Sequence, residues 1–410
     1  MERFTGILGI ILILGIAFLF SNNKKRINLR LVLSGLGLQL VIALLVLKVP
    51  AINNFFQLLG RGMQKLEGFA KEGAGFVYGG VGAYGPGGQL VNYGMAPAFV
   101  FAFNVTATII LVCVLVAIFY HLRIMQFIVS IVARAMNFVM RVSGAEALSN
   151  VASAFVGQVE AQVMIRAYLP TMTKSELLAS MSGSLACIAG GILIVYANMG
   201  ARPDYLIAAS LMAAPGALVI SKIVFPETEE SVTMGRVKLD VKSNYTNLID
   251  AITHGAADGF KIAMNVIAML IGFIALIAMI NWGLGHIRHG LSLDYIFGKI
   301  FYPFAWAMGV PRQDISSAAT LLGQKLTVNE FVAFKSLTTK AVPMMTTKGL
   351  TIITIAICGF ANFSSVGMQI GGIGELAPER RTDLARLGMK ALLCGTLASY
   401  LSATIAGMLM

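Results

Sequence analysis

Long apolar stretches recur along the whole chain, and they constrain the fold more than any other feature. A helix needs about 20 consecutive apolar residues to cross the hydrocarbon core of a bilayer. The stretches of this kind cover residues 4–21, 30–49, 95–120, 176–199, 203–224, 259–284, 348–374 and 384–408. Because lipid offers the backbone no hydrogen-bond partner, each stretch is predicted to be helical. We therefore predict an all-α polytopic membrane protein with eight transmembrane helices.

The composition and the charge pattern agree with a membrane protein. Of the 410 residues, 57% are hydrophobic and 12% are charged, whereas soluble domains carry about 25% charged residues. The net charge of +12 could suggest nucleic acid, but the basic residues form short clusters between apolar stretches. Such clusters are typical of cytoplasmic loops, so we predict no nucleic-acid partner. Since Lys24-Lys25-Arg26 follows the first stretch, both termini are predicted on the outer side of the cell (inner) membrane.

Two further regions, about 145–166 and about 313–340, fit neither a complete span nor an exposed loop. Each is apolar, contains a Gly-Gln pair and holds a glutamate, Glu160 or Glu330. A charged group at the bilayer centre costs about 3 kcal/mol on insertion scales, so such a residue is usually functional. Each region has the length of two short helices joined by a tip. We therefore predict two re-entrant helical hairpins, which are tolerated only when they are buried in protein or line a cavity.

The same order of elements occurs twice: a span, a hairpin, a span rich in small residues, and another span. In the fourth span, close helix packing is the simpler interpretation of Gly190-Gly191. In the seventh span, Gly359 and Asn362 with two neighbouring serines favour a break that exposes helix ends to a ligand. The basic clusters place the two hairpins on opposite sides of the membrane, which predicts opposed hairpins in an inverted repeat. The predicted domains are a scaffold of spans and an interfacial helix (1–94), a first repeat (95–224), a cytoplasmic connector (225–258) and a second repeat (259–410).

The polar residues of the hairpins and of the predicted break suit a neutral solute rich in hydroxyl and amide groups. A carboxylate can accept hydrogen bonds from two adjacent hydroxyls, and an amide both donates and accepts. Alternatively, Lys325 and Arg166 are ion-pair partners of the two glutamates, which would weaken the binding-site interpretation. No histidine lies centrally in a span and no paired aspartates occur there, so we predict no enzymatic activity. A channel would need a polar stripe along whole helices, which the sequence lacks.

The chain resembles the concentrative nucleoside transporter family from about residue 95 to its end. The matching segments are Gly-Gln-Val-Glu-Ala at 157–161, Met-Ser-Gly at 181–183, Asn-Glu-Phe-Val-Ala at 329–333, Cys-Gly-Phe-Ala-Asn-Phe-Ser-Ser at 358–365 and Ala-Pro-Glu-Arg-Arg at 377–381. The resemblance implies a homotrimer that imports uridine-like nucleosides together with a cation by an elevator movement, without an organic cofactor. It implies nucleobase contacts from Gln158, Val159, Glu160 and Ile192, and ribose contacts from Glu330, Phe360, Asn362 and Ser365.

The resemblance also implies a sodium site at Ser153, Cys187 and the carbonyls of Val156 and Ile188. The sequence departs from the family pattern at this site, because Ser153 replaces an asparagine and Cys187 replaces a hydroxyl residue. Val159 likewise replaces a threonine or serine in the hairpin tip. These changes remove oxygen ligands. A proton on Glu160 or Glu330 is therefore the alternative coupling ion, and an uncoupled facilitator is the alternative mechanism.

Overall fold

The computed structural model describes residues 2–78, 101–234, 245–341 and 345–410. These residues form helices joined by short connections, and no β-strand occurs among them. The N-terminal part contains α1 (Glu2–Leu19), α2 (Leu29–Lys48) and α3 (Pro50–Tyr78). Helix α2 begins at Leu29 because the side chain of Asn28 accepts a hydrogen bond from the Leu31 N–H (3.2 Å). Helix α3 occupies the segment predicted to be an interfacial helix.

The following part of the chain holds a series of shorter helices before one long helix. They are α4 (Phe101–His121), α5 (Ile124–Met140), α6 (Gly144–Ser153), α7 (Glu160–Val163), α8 (Lys174–Ala186), α9 (Gly190–Asn198) and α10 (Pro203–Val224). Capping boxes set the starts of α6 and α8, where Ser143 pairs with Glu146 and Thr173 pairs with Glu176. The start of the predicted third span, 95–100, lies outside the described residues.

The C-terminal part has a similar series, preceded by a helix of 40 residues. Its helices are α11 (Leu248–Ile287), α12 (Leu293–Ile300), α13 (Tyr302–Ala307), α14 (Ile315–Thr327), α15 (Glu330–Ser336), α16 (Thr347–Ile357), α17 (Phe363–Leu376) and α18 (Arg381–Leu409). At 1.5 Å per residue, α11 is about 60 Å long. It begins well before the predicted span 259–284, so the end of the predicted connector is helical. Residues 235–244 of that connector lie outside the described residues.

The order of these elements repeats along the chain. A pair of short helices (α6 and α7) precedes an interrupted helix (α8 and α9) and then the long α10. The same order returns as α14 and α15, then α16 and α17, then α18. Both short pairs coincide with the regions predicted to be hairpins, and both interrupted helices coincide with the spans rich in small residues.

Glycines in the fourth predicted span have two different roles. Helix α8 continues through Gly183, where a Cβ atom would clash with the Asn150 side chain, so this glycine lets α6 pack closely. The helix ends at Ala186, and α9 begins at Gly190, whose N–H donates to the Phe155 carbonyl (3.1 Å). A Cβ atom on Gly190 would also lie 2.9 Å from the Phe155 carbonyl oxygen, so Gly190 combines the predicted close packing with a break that was not preferred. The predicted break in the seventh span is present between Ile357 and Phe363.

Several helices have the length and the composition that a bilayer requires. Among the described residues, α2, α10 and α18 are each long and apolar enough to cross a membrane, and α4 with α5 forms a fourth candidate bent by 76°. The apolar parts of α1, α11 and α16 are shorter. Large apolar side chains are exposed on α1, α2 and α11, including Ile11, Leu33 and Trp282. Exposed apolar surface of this extent is expected where lipid covers a protein.

Candidate functional site

The two helix breaks contact each other, and this contact organises the candidate site. The N–H of Phe360 donates to the carbonyl of Cys187 (3.3 Å), which joins the break after α16 to the break after α8. Gly359 has a φ of +136°, and a Cβ atom there would clash with the Ala186 carbonyl. Both the conformation and the close approach require glycine. The unwound ends of four helices therefore meet at one place.

Glu330 lies at this place and is buried, with 7% of its surface exposed. It begins α15, after Asn329, whose side chain caps the helix by accepting from the Val332 N–H (2.9 Å). One carboxylate oxygen of Glu330 accepts a hydrogen bond from the Tyr196 hydroxyl (3.1 Å). The other accepts from the side-chain amide of Asn362 (2.8 Å). A buried carboxylate needs such partners, and here two distant segments supply them.

Asn362 links the buried carboxylate to the start of α17. Its side-chain oxygen accepts from the Ser365 N–H (2.8 Å) and from the Ser364 hydroxyl (2.8 Å), which makes it the N-cap of α17. Asn362 and Ser365 are each only 1% exposed. An N-cap that also donates to a carboxylate uses both halves of its amide. The structure therefore brings together Glu330, Asn362 and Ser365, three of the residues predicted for the site.

Tyr196 is a site residue that the sequence did not reveal. It is fully buried on α9, and its ring stacks on Phe334 with centroids 4.3 Å apart. Ile192, predicted to contact the base, precedes it by four residues and so lies on the same face of α9. The only available signal was a tyrosine in a short apolar helix, because a buried tyrosine hydroxyl usually needs a partner.

The tip between α6 and α7 contacts α17 from the other side. The amide nitrogen of Gln158 lies 3.8 Å from the sulfur of Met368. A Cβ atom on Gly372 would lie 2.7 Å from a methyl group of Val159. Ser365, Met368 and Gly372 are spaced three and four residues apart and so share one face of α17. The two polar segments of the sequence therefore approach the same helix.

Other residues singled out in the sequence make fewer contacts with the cluster around Glu330. Phe360 is half-buried within the break. Glu160 is exposed, with its carboxylate close to Gly157, and no described hydrogen bond joins it to the cluster around Glu330. Within the described residues, no ion pair connects Arg166 or Lys325 to a carboxylate. Lys325 is fully buried on α14 and interacts electrostatically with Glu330 without direct contact. The interaction of Lys325 with Glu330 keeps the alternative open for that pair, without a direct ion-pair contact.

The residues predicted to bind a cation come together, but they offer it few oxygen ligands. Val156 and Ile188 lie beside the hydrogen bond that joins Gly190 to Phe155. The Ser153 hydroxyl donates to the Ser149 carbonyl (2.7 Å), and the Cys187 thiol lies 3.9 Å from the Asn150 carbonyl. A hard cation takes several oxygen ligands, and a thiol is a soft one. The oxygens of the predicted set are therefore two carbonyls and the Ser153 hydroxyl.

Family models match almost the whole chain. The model described as "Na+ dependent nucleoside transporter N-terminus" matches residues 8–81, and the one described as "Nucleoside recognition" matches residues 102–203. The model described as "Na+ dependent nucleoside transporter C-terminus" matches residues 205–407.

Curated relatives and solved structures agree with these models. The chain is 41% identical to the uncharacterized transporter YutK of Bacillus subtilis, over 98% of each chain. It is 37% identical to the nucleoside permease NupC of Helicobacter pylori, over 98% of this chain and 96% of the relative. The structure of CNTnw in an inward-facing substrate-bound state superposes with a TM-score of 0.92 at 37% identity, over 100% of this chain and 98% of that one. The chain therefore belongs to the concentrative, Na+-dependent nucleoside transporter family, whose members are transporters and not enzymes.

Proposed function

We propose that this chain imports nucleosides across the cell membrane as a cation-coupled symporter. The observation that carries the proposal is the buried carboxylate of Glu330, held by Tyr196 and Asn362 where the two helix breaks meet. A carboxylate and an amide in this arrangement can exchange their mutual hydrogen bond for bonds to the hydroxyls of a ribose. The substrate class is supported by the nucleoside permease and the substrate-bound structure that the chain resembles.

The site residues divide between the two parts of a nucleoside. Glu330, Asn362 and Ser365 bind the ribose hydroxyls, and Phe360 covers the sugar. The nucleobase lies against the tip between α6 and α7 and against the first turn of α9. Its proposed contacts are Gln158, Val159, Glu160 and Ile192. The amide oxygen of Gln158 supports this role, because it is buried and has no hydrogen-bond partner among the described residues.

We also propose how the helices are arranged in the membrane. The helix pairs α6–α7 and α14–α15 are re-entrant hairpins that enter from opposite sides, within two inverted repeats at 95–224 and 259–410. Residues 1–94 form the scaffold, 225–258 form a cytoplasmic connector, and both termini face outward. Eight spans and a homotrimer complete the arrangement, and transport follows an elevator type of alternating access. The repeated order of short pair, interrupted helix and long helix supports the repeat.

One coupled cation is energetically sufficient for accumulation. A charge that crosses a potential of about 100 mV releases about 2.3 kcal/mol. At 1.4 kcal/mol per tenfold, that supports roughly fiftyfold accumulation of a neutral nucleoside. An uncoupled facilitator would reach only equal concentrations. Uptake of labelled uridine into proteoliposomes under a sodium gradient or a pH gradient separates the two mechanisms, and accumulation under neither gradient would contradict coupling.

Substitutions at the ribose end test the site itself. We expect Glu330→Ala and Asn362→Ala each to abolish uridine uptake, because each removes one half of the buried pair. Glu375→Ala changes an exposed carboxylate near the end of α17 and serves as the control, with uptake unchanged. Uptake at the wild-type rate in either site variant would contradict the assignment of that residue to ribose binding.

A further inference from the structure

A closed cluster of five polar side chains lies between the first helix pair and α8. Its members are Ser149 and Ser153 on α6, Gln162 on α7, and Ser180 and Ser184 on α8. None of them is more than 1% exposed. None belongs to the proposed nucleoside site, and only Ser153 was predicted to have a function. We call this group the Gln162 cluster.

Gln162 is the centre of the hydrogen bonding. Its amide nitrogen donates to the hydroxyls of Ser149 (3.1 Å) and Ser184 (2.8 Å), and its amide oxygen accepts from Ser180 (2.7 Å). The serine hydroxyls also bond to each other across the helices. The hydroxyl oxygens of Ser149 and Ser180 are 2.5 Å apart, and those of Ser153 and Ser184 are 2.8 Å apart. Both amide donors are therefore used, and three helices are joined through one side chain.

The cluster overlaps the position where the family resemblance places a cation. Ser153 belongs to both groups, and its hydroxyl is already bonded to the Ser149 carbonyl and to Ser184. Ser184 lies one helical turn before Cys187, at the end of α8. The hydroxyl oxygens that a cation would need are thus bonded to protein donors. A cation that took the Ser184 hydroxyl as a ligand would compete with the Gln162 amide for that oxygen, and a lost buried hydrogen bond is unfavourable.

We propose that the Gln162 cluster replaces the coupling cation as the link that holds the α6–α7 tip against α8, so that nucleoside binding by this chain is independent of sodium. Amide N–H groups carry partial positive charge and here point at oxygens that would otherwise attract a cation. The inference rests on the proposed nucleoside site, because the tip held in this way carries Gln158. If transport is coupled, the ion that drives it is then a proton.

The direct test compares sodium chloride with choline chloride at equal ionic strength, using the purified full-length chain. We expect the dissociation constant of uridine to differ by less than about twofold between the two salts. If sodium does not bind at the site, its presence cannot change the affinity for uridine. The unfolding temperature of the protein without nucleoside should also be equal in the two salts. Binding that is about tenfold or more tighter in sodium, or a sodium-specific rise in unfolding temperature, would overturn the inference.

The same experiment separates failure of this inference from failure of the proposed function. If uridine binds in neither salt, the nucleoside proposal fails, and the unfolding temperatures still decide the question of sodium. Equal temperatures then support replacement of the cation, and a sodium-specific rise contradicts it.

A matched pair of variants tests the cluster itself. Gln162→Leu keeps the size of the side chain but removes the amide, and we expect uridine affinity to fall about tenfold with no recovery in sodium. Gln39→Leu is the control, because Gln39 is also fully buried and donates to the Met212 carbonyl and the Ser402 hydroxyl, away from the tip. We expect the control to retain uridine affinity. Wild-type affinity in folded Gln162→Leu would overturn the inference, and if that variant does not fold, the sodium comparison decides.

Discussion

At the scale of single residues, the buried carboxylate of Glu330 depends on two hydrogen-bond donors. An ionised group inside a membrane protein is unfavourable unless its oxygens are paired. Tyr196 and Asn362 supply one bond each, and both donors lie on segments remote in sequence. Stacking against Phe334 holds the tyrosine ring in place. These contacts fix the orientation of the carboxylate, and for the proposed nucleoside site such preorganisation reduces the cost of binding.

The first prediction concerns Tyr196→Phe, which removes only the hydroxyl group. A hydrogen bond to a charged group contributes about 1.5–3 kcal/mol, so we expect uridine affinity to fall by about tenfold or more. Direct binding measurements on purified protein would show the change. Tyr295→Phe is the control, because that tyrosine is exposed on α12. Unchanged affinity in Tyr196→Phe would mean that the hydroxyl does not orient the carboxylate.

At the scale of elements, the crossing of the two helix breaks decides where the site forms. Helix α8 ends against the segment that follows α16, and the glycine at position 359 permits that approach. The ends of helices leave backbone groups without intrahelical partners. Asn362 satisfies some of them at the start of α17, and Gly190 donates to Phe155 at the start of α9. Polar groups therefore accumulate at the crossing rather than along whole helices.

The second prediction compares two glycine substitutions near this crossing. Gly359→Ala should destabilise the protein and abolish uridine binding, because a left-handed conformation costs about 1–2 kcal/mol in addition to the clash with Ala186. Gly371→Ala should be neutral or should stabilise by about 0.5–1 kcal/mol, since a Cβ atom there meets nothing within 4 Å in a helix. Unfolding temperature and uridine binding would be measured for both. A Gly359→Ala protein that behaves like Gly371→Ala would show that the crossing tolerates a side chain.

At the scale of the whole molecule, a buried charge cluster ties together the starts of α6 and α8 and the end of α10. The ammonium group of Lys222 lies 2.8 Å from a carboxylate oxygen of Glu146 and 3.3 Å from one of Glu227. It also donates to the Ser175 hydroxyl (2.9 Å). Because Glu146 also belongs to the capping box of α6, the ion pair fixes the base of the first helix pair. Movement of that pair must therefore carry α10 with it or break a buried ion pair.

The third prediction concerns Lys222→Met. Removing one partner of a buried ion pair typically costs about 3–5 kcal/mol, because the other charge remains buried and unpaired. We expect a marked fall in unfolding temperature, measured by thermal denaturation in detergent, and partial recovery in the double variant with Glu146→Gln. Lys174→Met is the control, since its pair with Asp383 is 3.8 Å long and half-exposed and should contribute little. An equal fall in unfolding temperature for the Lys222 and Lys174 variants would mean that the buried ion pair does not stabilise the protein more than the exposed one.

The sequence alone determined the class of the protein, the positions of most helices and several members of the candidate site. Apolar length fixes which segments can enter a bilayer, because lipid cannot satisfy a free backbone. The glycine, asparagine and serine residues within the seventh apolar stretch predicted the break around Gly359 and Asn362. The sequence also indicated Glu330, because a carboxylate is costly to place in an apolar membrane segment.

Only the tertiary structure decided which of these residues have partners. Tyr196 and Gln162 are unremarkable in sequence, and each becomes important through a residue from another helix. Glu160 and Glu330 looked equivalent, yet one is exposed and the other is buried between two donors. The physical reason is that burial and hydrogen bonding depend on which segments meet in space. Composition and spacing along one segment fix only the chemistry that each side chain can offer.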